Sequence, residues 1–156
     1  MRRRAGQRSP LIAAHEAGHA VVALALGLEV YGVYLTPHAR LISGYAHTEL
    51  APKHLWLHDA ITDAAGPAAD ALSGRYSLAA LRRPPIAWQH DFESIRAYGY
   101  SRHERDLLVA IASRMLTGEC ARAWREVGKA LEHRDLTGTE LRALTLEGAR
   151  FEDLAC

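Results

Sequence analysis

The stretch Leu11 to Leu28, LIAAHEAGHAVVALALGL, constrains this chain more than any other. It sets three side chains that are costly to bury, His15, Glu16 and His19, inside an apolar, helix-forming run. Residues four apart share one face of a helix, so His15 and His19 can turn both imidazoles toward a single metal ion, with Glu16 beside them. H-E-x-x-H on a helix is the pattern in which two histidines bind zinc and the glutamate serves as general base. The chain holds nine histidines, which makes a chance match easier. A chance match has no reason, however, to fall in mid-helix where its polar groups would need partners.

Composition narrows the remaining possibilities. The 156 residues, 49% hydrophobic, suit one domain with a real core. A net charge of +1 supplies no global field for nucleic acid or a membrane surface. Arg2, Arg3, Arg4 and Arg8 form a local basic start. Without aromatic interleaving it reads as a solvated, flexible terminus over residues 1–8 rather than a nucleic-acid arm, and residues 9–156 read as the domain. The apolar run behind it carries His15, Glu16 and His19, unlike a leader peptide, and no run reaches the ~20 apolar residues of a membrane span. Cys120 and Cys156 are too few and too far apart for a disulfide framework or a zinc-cysteine site. A reducing, cytoplasmic setting is expected.

The order of elements points to a mainly α fold with a small β-hairpin or sheet. Ser9-Pro10 provides a cap and a first helical residue, and Gly27 a stop, for the first helix. Gly18 costs about 1 kcal/mol against alanine there, so something should pack closely on it. EVYGVYLT and LISGYAHT, around Pro37-His38-Ala39-Arg40, read as two strands. Leu41 to Thr48 is the candidate edge strand for pairing with an extended substrate, with an ordinary core hairpin as the alternative. A second helix opens at Ala51-Pro52, carries apolar positions from Leu55 to Leu72, is expected to kink at Gly66-Pro67 and ends at Ser73-Gly74. His54 and His58 are four apart on it, but lack the acid of the first motif and read as its wet face. Arg75 to Ala87 reads as loop, and a helix from near Gln89 to Tyr98 brings in His90, Asp91 and Glu93. Capping boxes at Ser101–Glu104 and Thr137–Glu140 start later helices, one with Leu107, Leu108, Ile111, Ala112, Met115 and Leu116 as its apolar positions, the last of them short. That C-terminal third carries no catalytic signal of its own.

Zinc needs a third protein ligand. The H-E-x-x-H-x-x-G-x-x-H pattern is excluded, since Val22 and Ala25 stand where its glycine and histidine belong. A glutamate on a following helix is disfavoured, because Glu29 and Glu49 fall at strand ends. Asp59, Asp63, Asp70, Asp91 and Glu93, on expected helices, remain open.

Ala14-His15-Glu16-Ala17-Gly18-His19-Ala20-Val21-Val22 resembles the active-site helix of the FtsH family of ATP-dependent zinc proteases. Gly44-Tyr45 is similar to the strand that follows it there, Ala65-Gly66-Pro67-Ala68-Ala69-Asp70-Ala71-Leu72 to a small-residue helix, and Leu131 to Leu144 to the closing helices. His90-Asp91-Phe92-Glu93-Ser94-Ile95 is similar to the segment that supplies an aspartate ligand. The resemblance covers most of the chain, and its first motif is the specific one. It implies a zincin-like peptidase domain with His15, His19 and Asp91 on Zn²⁺, Glu93 as the fallback ligand, and Asp70 holding a histidine from behind. It also implies peptides or unfolded proteins as substrates, and raises a homo-oligomer or a separate ATPase as partners. The chain has no G-x-x-x-x-G-K-[ST] loop, and Pro67 stands where the family has a helix-compatible residue.

The expectation is therefore a zinc endopeptidase with Glu16 as the catalytic base. The alternative is a zinc-bearing interaction or regulatory domain that binds a peptide or partner without cutting it. Glu16 argues against the alternative, since a purely structural zinc has no use for a base.

Overall fold

The computed structural model describes residues 8–36, 43–48 and 56–152. In chain order it runs α1 (Pro10–Ala25), β1 (Val30–Thr36), β2 (Ser43–Thr48), α2 (Trp56–Leu72), α3 (Gln89–Ala97), α4 (Arg102–Thr117), α5 (Ala121–Leu131), β3 (Leu136–Thr137) and α6 (Gly138–Glu152). Short 3-10 turns at Leu78–Arg82 and Ile86–Trp88 occupy the segment expected to be loop. The fold is mainly helical with a small antiparallel sheet. Residues 1–7, the Pro37–Arg40 turn, Leu41, Ile42, Glu49, His54 and the Ala51-Pro52 helix start lie outside the described residues. Arg8, grouped above with the flexible start, donates its amide to the Glu132 carbonyl at 3.2 Å and pairs with Asp135 Oδ1 at 2.5 Å.

Helix α1 is apolar on nearly every side, and such a helix has to be surrounded. From Ile12 to Ala23 every residue except Ala14 is buried. α2 covers one flank, α5 another, and β1 and β2 a third. Ser9 occupies the N-cap position, but its side chain makes no capping bond, contrary to expectation. Pro10 at the first helical position removes one of the amides that would need it. At the other end Gly27, at φ +80°, donates to the Leu24 carbonyl and Leu28 to that of Ala23, a Schellman stop.

Small residues let α1 and α2 approach. A Cβ on Gly18 would lie 2.8 Å from the Ala65 carbonyl oxygen and 2.9 Å from Ala69 Cβ. Ala64, Ala65, Ala68 and Ala69 are all fully buried on the partner helix. α2 runs through Pro67 as one helix from Trp56 to Leu72. It closes on a second Schellman motif, in which Gly74 sits at φ +74° and Arg75 donates its amide to the Asp70 carbonyl at 2.9 Å.

The sheet order is β2-β1-β3, with Val33 opposite Ala46 on one side and Leu136 on the other. β3 was not anticipated, because two residues give no alternation to read. β2 is an edge, as expected, and among the described residues it pairs with β1 alone. The Ser101–Glu104 box forms with both reciprocal bonds, and Thr137 and Glu140 likewise exchange bonds. α6 is longer than the short helix expected. Leu72, Leu107 and Ile111 point outward, 41%, 52% and 44% exposed, although the sequence pattern counts them as apolar positions. α4 instead buries Leu108, Val109, Ala112 and Leu116, a stripe rotated by one residue.

Two glycine substitutions separate close packing from helix propensity. Gly18→Ala should lose about 1–3 kcal/mol to overpacking despite alanine's better propensity. Gly128→Ala, whose Cβ would find nothing nearer than 3.9 Å, should gain up to about 1 kcal/mol. Urea denaturation of both variants measures the contrast, and equal shifts would contradict the packing described for α1 on α2.

Candidate metal centre

Three elements supply the side chains. α1 brings His15 and His19 one turn apart, α2 lies against them, and α3 brings Asp91 in its first turn. His15, Glu16, His19 and Asp91 are 6%, 6%, 8% and 8% exposed, so this is a buried polar cluster in an apolar setting.

The hydrogen-bond partners fix the tautomers. His19 Nδ1 lies 2.7 Å from the Thr62 carbonyl oxygen, which can only accept, so this nitrogen carries the proton. His15 Nδ1 lies 3.0 Å from Asp70 Oδ2, and a carboxylate there calls for a proton on Nδ1 as well. Both Nε2 lone pairs are thereby turned inward, 3.1 Å from each other. Asp91 completes the convergence, with Oδ2 3.5 Å from His15 Nε2 and Oδ1 3.5 Å from His19 Nε2. One ligand atom from each residue falls within 4.8 Å of the others, and this is the only such group of His, Cys, Asp and Glu among the described residues. Three inward-facing electron-pair donors repel each other unless a cation or a proton lies between them.

Two further observations fit a metal ion. Asp91 Oδ2 is buried with no hydrogen-bond partner. Gly66 of α2 leaves open the space in front of the imidazoles, since a Cβ there would lie 2.5 Å from His15 Nε2 and closer still to His19 Nε2. A set of two imidazoles and a carboxylate suits zinc and leaves a position for water or substrate.

A proton can take the same place. Burial pushes the His15 imidazole down, but the hydrogen bond to Asp70 and the nearby carboxylates of Asp91 and Glu16 outweigh it, raising it to about 10. Burial raises Glu16 above the usual carboxylate range, against the pull of His19 and His15. Asp63, on α2, is pushed up to about 8 by burial and then by the charges of Asp91 and Asp59.

Behind His15 stands Asp70, wholly buried. Its Oδ2 accepts from His15 and also from Trp88 Nε1 at 2.8 Å, and Arg75 Nη1 reaches Oδ1 at 3.3 Å. Burial alone would raise this carboxyl, but bonds from His15 and Trp88 and the Arg75 charge bring it below its ordinary value. The role read for Asp70 from the family resemblance therefore has a geometric counterpart. Sequence reasoning missed Thr62, Gly66, Arg75 and Trp88. The glycine on an alanine-rich helix face was the one available signal, and it was read as a kink.

The other candidate ligands lie elsewhere. Glu93 faces away from the histidines on the exposed side of α3, and Glu29 pairs with Arg142 at 3.6 Å. Asp59 and Asp63 sit on α2 toward Asp91 without joining the convergent group. His58 is partly buried rather than fully wet, with Nδ1 unpartnered. Among the described residues no helix is long and apolar enough to cross a membrane. Compared with protein-family models and with curated proteins, the chain matches none.

Two measurements test the centre. Gly66→Ala should lower affinity for Zn(II) or Co(II) at least about tenfold in chelator competition, because its methyl group fills the space the ion needs. The second concerns pH and the chelated protein. His15 titrates higher folded than unfolded, so its stabilisation is complete below its ordinary value of 6.5 and lost as pH rises toward about 10. Asp63 also keeps its proton longer in the folded state, which lowers stability in the same direction up to about 8. The urea midpoint of chelated protein should fall between pH 7 and 10, and added zinc, which takes the place of the proton, should flatten that fall. A midpoint rising over this range would contradict the protonated His15.

Proposed function

We propose that this chain is a zinc-dependent endopeptidase with a zincin-like domain of the FtsH type, acting on peptides or unfolded protein segments. The observation that carries the reading is the convergence of His15 Nε2, His19 Nε2 and the Asp91 carboxylate, from two helices, beside Glu16. The helical fold with an edge strand near α1 agrees with it.

His15, His19 and Asp91 would hold the ion. When bound, zinc lowers the pKa of a water in its open position to about 7 and polarises a substrate carbonyl. Glu16 accepts the proton that the attacking water gives up and passes it to the leaving amine nitrogen. Asp70 and the Thr62 carbonyl keep the Nδ1 protons of the two histidines in place, so that Nε2 stays a donor to the ion. The outer edge of β2 would receive an extended substrate through main-chain hydrogen bonds, which favours unfolded segments over folded proteins. Stable folded substrates would need a separate ATPase or an assembly of this chain to open them.

Glu16→Gln should retain stoichiometric zinc and lose peptide hydrolysis by about 10²–10⁴-fold. Asp91→Ala should lose zinc by more than the roughly 10–100-fold typical of an outer-sphere change. Zinc content together with cleavage of unfolded casein, with chelator and with zinc restored, reads both. Full hydrolysis by Glu16→Gln would sink the mechanism. Stoichiometric zinc with no cleavage by the unaltered protein would favour a zinc-bearing binding domain.

A further inference from the structure

We infer that Trp88 is a positioning residue for the metal centre, acting through Asp70 to fix the ring of His15. The inference rests on the metal-ligand reading of His15, His19 and Asp91, and assigns a role to a residue outside that set.

Asp70 Oδ2 has two good acceptor directions, and two donors take them: His15 Nδ1 at 3.0 Å and Trp88 Nε1 at 2.8 Å. Arg75 holds the same carboxylate less closely, at 3.3 and 3.4 Å, from a side chain that is partly exposed. Trp88 is the firmer anchor. Its side chain is fully buried, and its ring is set edgewise against Tyr76 at 5.5 Å and Phe92 at 5.7 Å between centroids. A rigid, wedged indole presents its N–H at a fixed point, and the carboxylate is pinned between that point and the imidazole. The plane of His15, and so the direction of its Nε2 lone pair, follows from the indole.

Trp88 also immediately precedes α3, three residues before Asp91. One short segment therefore delivers a ligand from one side and, through Asp70, orients a second ligand from the other. An indole with no role beyond packing could be replaced by another aromatic ring without consequence for the ion. An indole that orients His15 could not.

The test uses the full chain. Trp88→Phe keeps an aromatic ring against Tyr76 and Phe92 and removes the N–H. With the circular dichroism and melting transition of a folded protein, it should bind zinc about 10–100-fold more weakly in chelator competition. Its Co(II) derivative should show an altered d–d absorption spectrum, a readout that packing alone would not move. Unaltered protein labelled with ¹⁵N supplies a second measurement that needs no variant to fold. The Trp88 indole N–H resonance should shift on addition of Zn(II), whereas that of Trp124, bonded to the Ala14 carbonyl, should shift less. Unchanged zinc affinity and Co(II) spectrum in a folded Trp88→Phe, or a Trp88 resonance indifferent to zinc, would overturn the inference. Failure of the unaltered protein to bind zinc would instead overturn the metal reading itself.

Discussion

The close approach of α1 to α2 sets the distances on which the centre depends. Gly18 admits the Ala65 carbonyl from one side, and Gly66 admits the two imidazoles from the other. Each glycine removes a methyl group from the same interface, one on each helix. With the helices held a fraction further apart, the Thr62 carbonyl would no longer meet His19 Nδ1 at 2.7 Å, nor Asp70 meet His15 Nδ1 at 3.0 Å. Those two bonds decide which nitrogen of each ring carries a proton. Backbone packing thus reaches the chemistry directly, through tautomers rather than through distant strain.

Once both Nε2 atoms face inward, electrostatics permits few outcomes. Two lone pairs 3.1 Å apart with a carboxylate 3.5 Å from each are unfavourable without positive charge between them. A proton on His15 satisfies the arrangement in one way, and that imidazole is driven up to about 10, against the cost of burial, by its bond to Asp70 and by the carboxylates of Asp91 and Glu16. A divalent ion satisfies it in another. The two would compete for one place, so the same geometry would make both stability and any affinity for metal depend on pH.

The first half of the centre was legible in the sequence because a helix has a fixed period. His15, Glu16 and His19 needed only 3.6 residues per turn to be placed together, and Gly27 and the capping boxes marked boundaries by local chemistry. The second half was not legible from spacing. Asp91 reaches the histidines by way of a strand pair, α2 and two 3-10 turns, and no periodicity links residues across such a path. Only the resemblance to a known motif singled it out among five helical acids. Trp88 carried no signal of its own, since a tryptophan beside prolines reads as ordinary core, and its bond to Asp70 depends on how the loop returns over α2. At Gly66-Pro67 the expectation weighed only a proline's cost to its own helix. The space that the neighbouring glycine opens for the imidazoles is a tertiary fact.

The distribution of buried polar groups distinguishes a site from a core that tolerates a few polar residues. Every buried polar or charged side chain among the described residues, His15, Glu16, His19, Asp59, Thr62, Asp70 and Asp91, comes from α1, α2 or α3. A structural network of this kind would be closed, each donor meeting an acceptor, because an unmet buried group costs about 1–3 kcal/mol. Here closure holds behind His15, where Asp70 is fully engaged, and fails at the inward-facing Asp91, whose Oδ2 lacks a hydrogen-bond partner. The satisfied side fixes orientation and the unsatisfied side faces the space left by Gly66. That asymmetry is what the proposed metal centre would require: rigid support at the rear, and unspent donor capacity on the inward side.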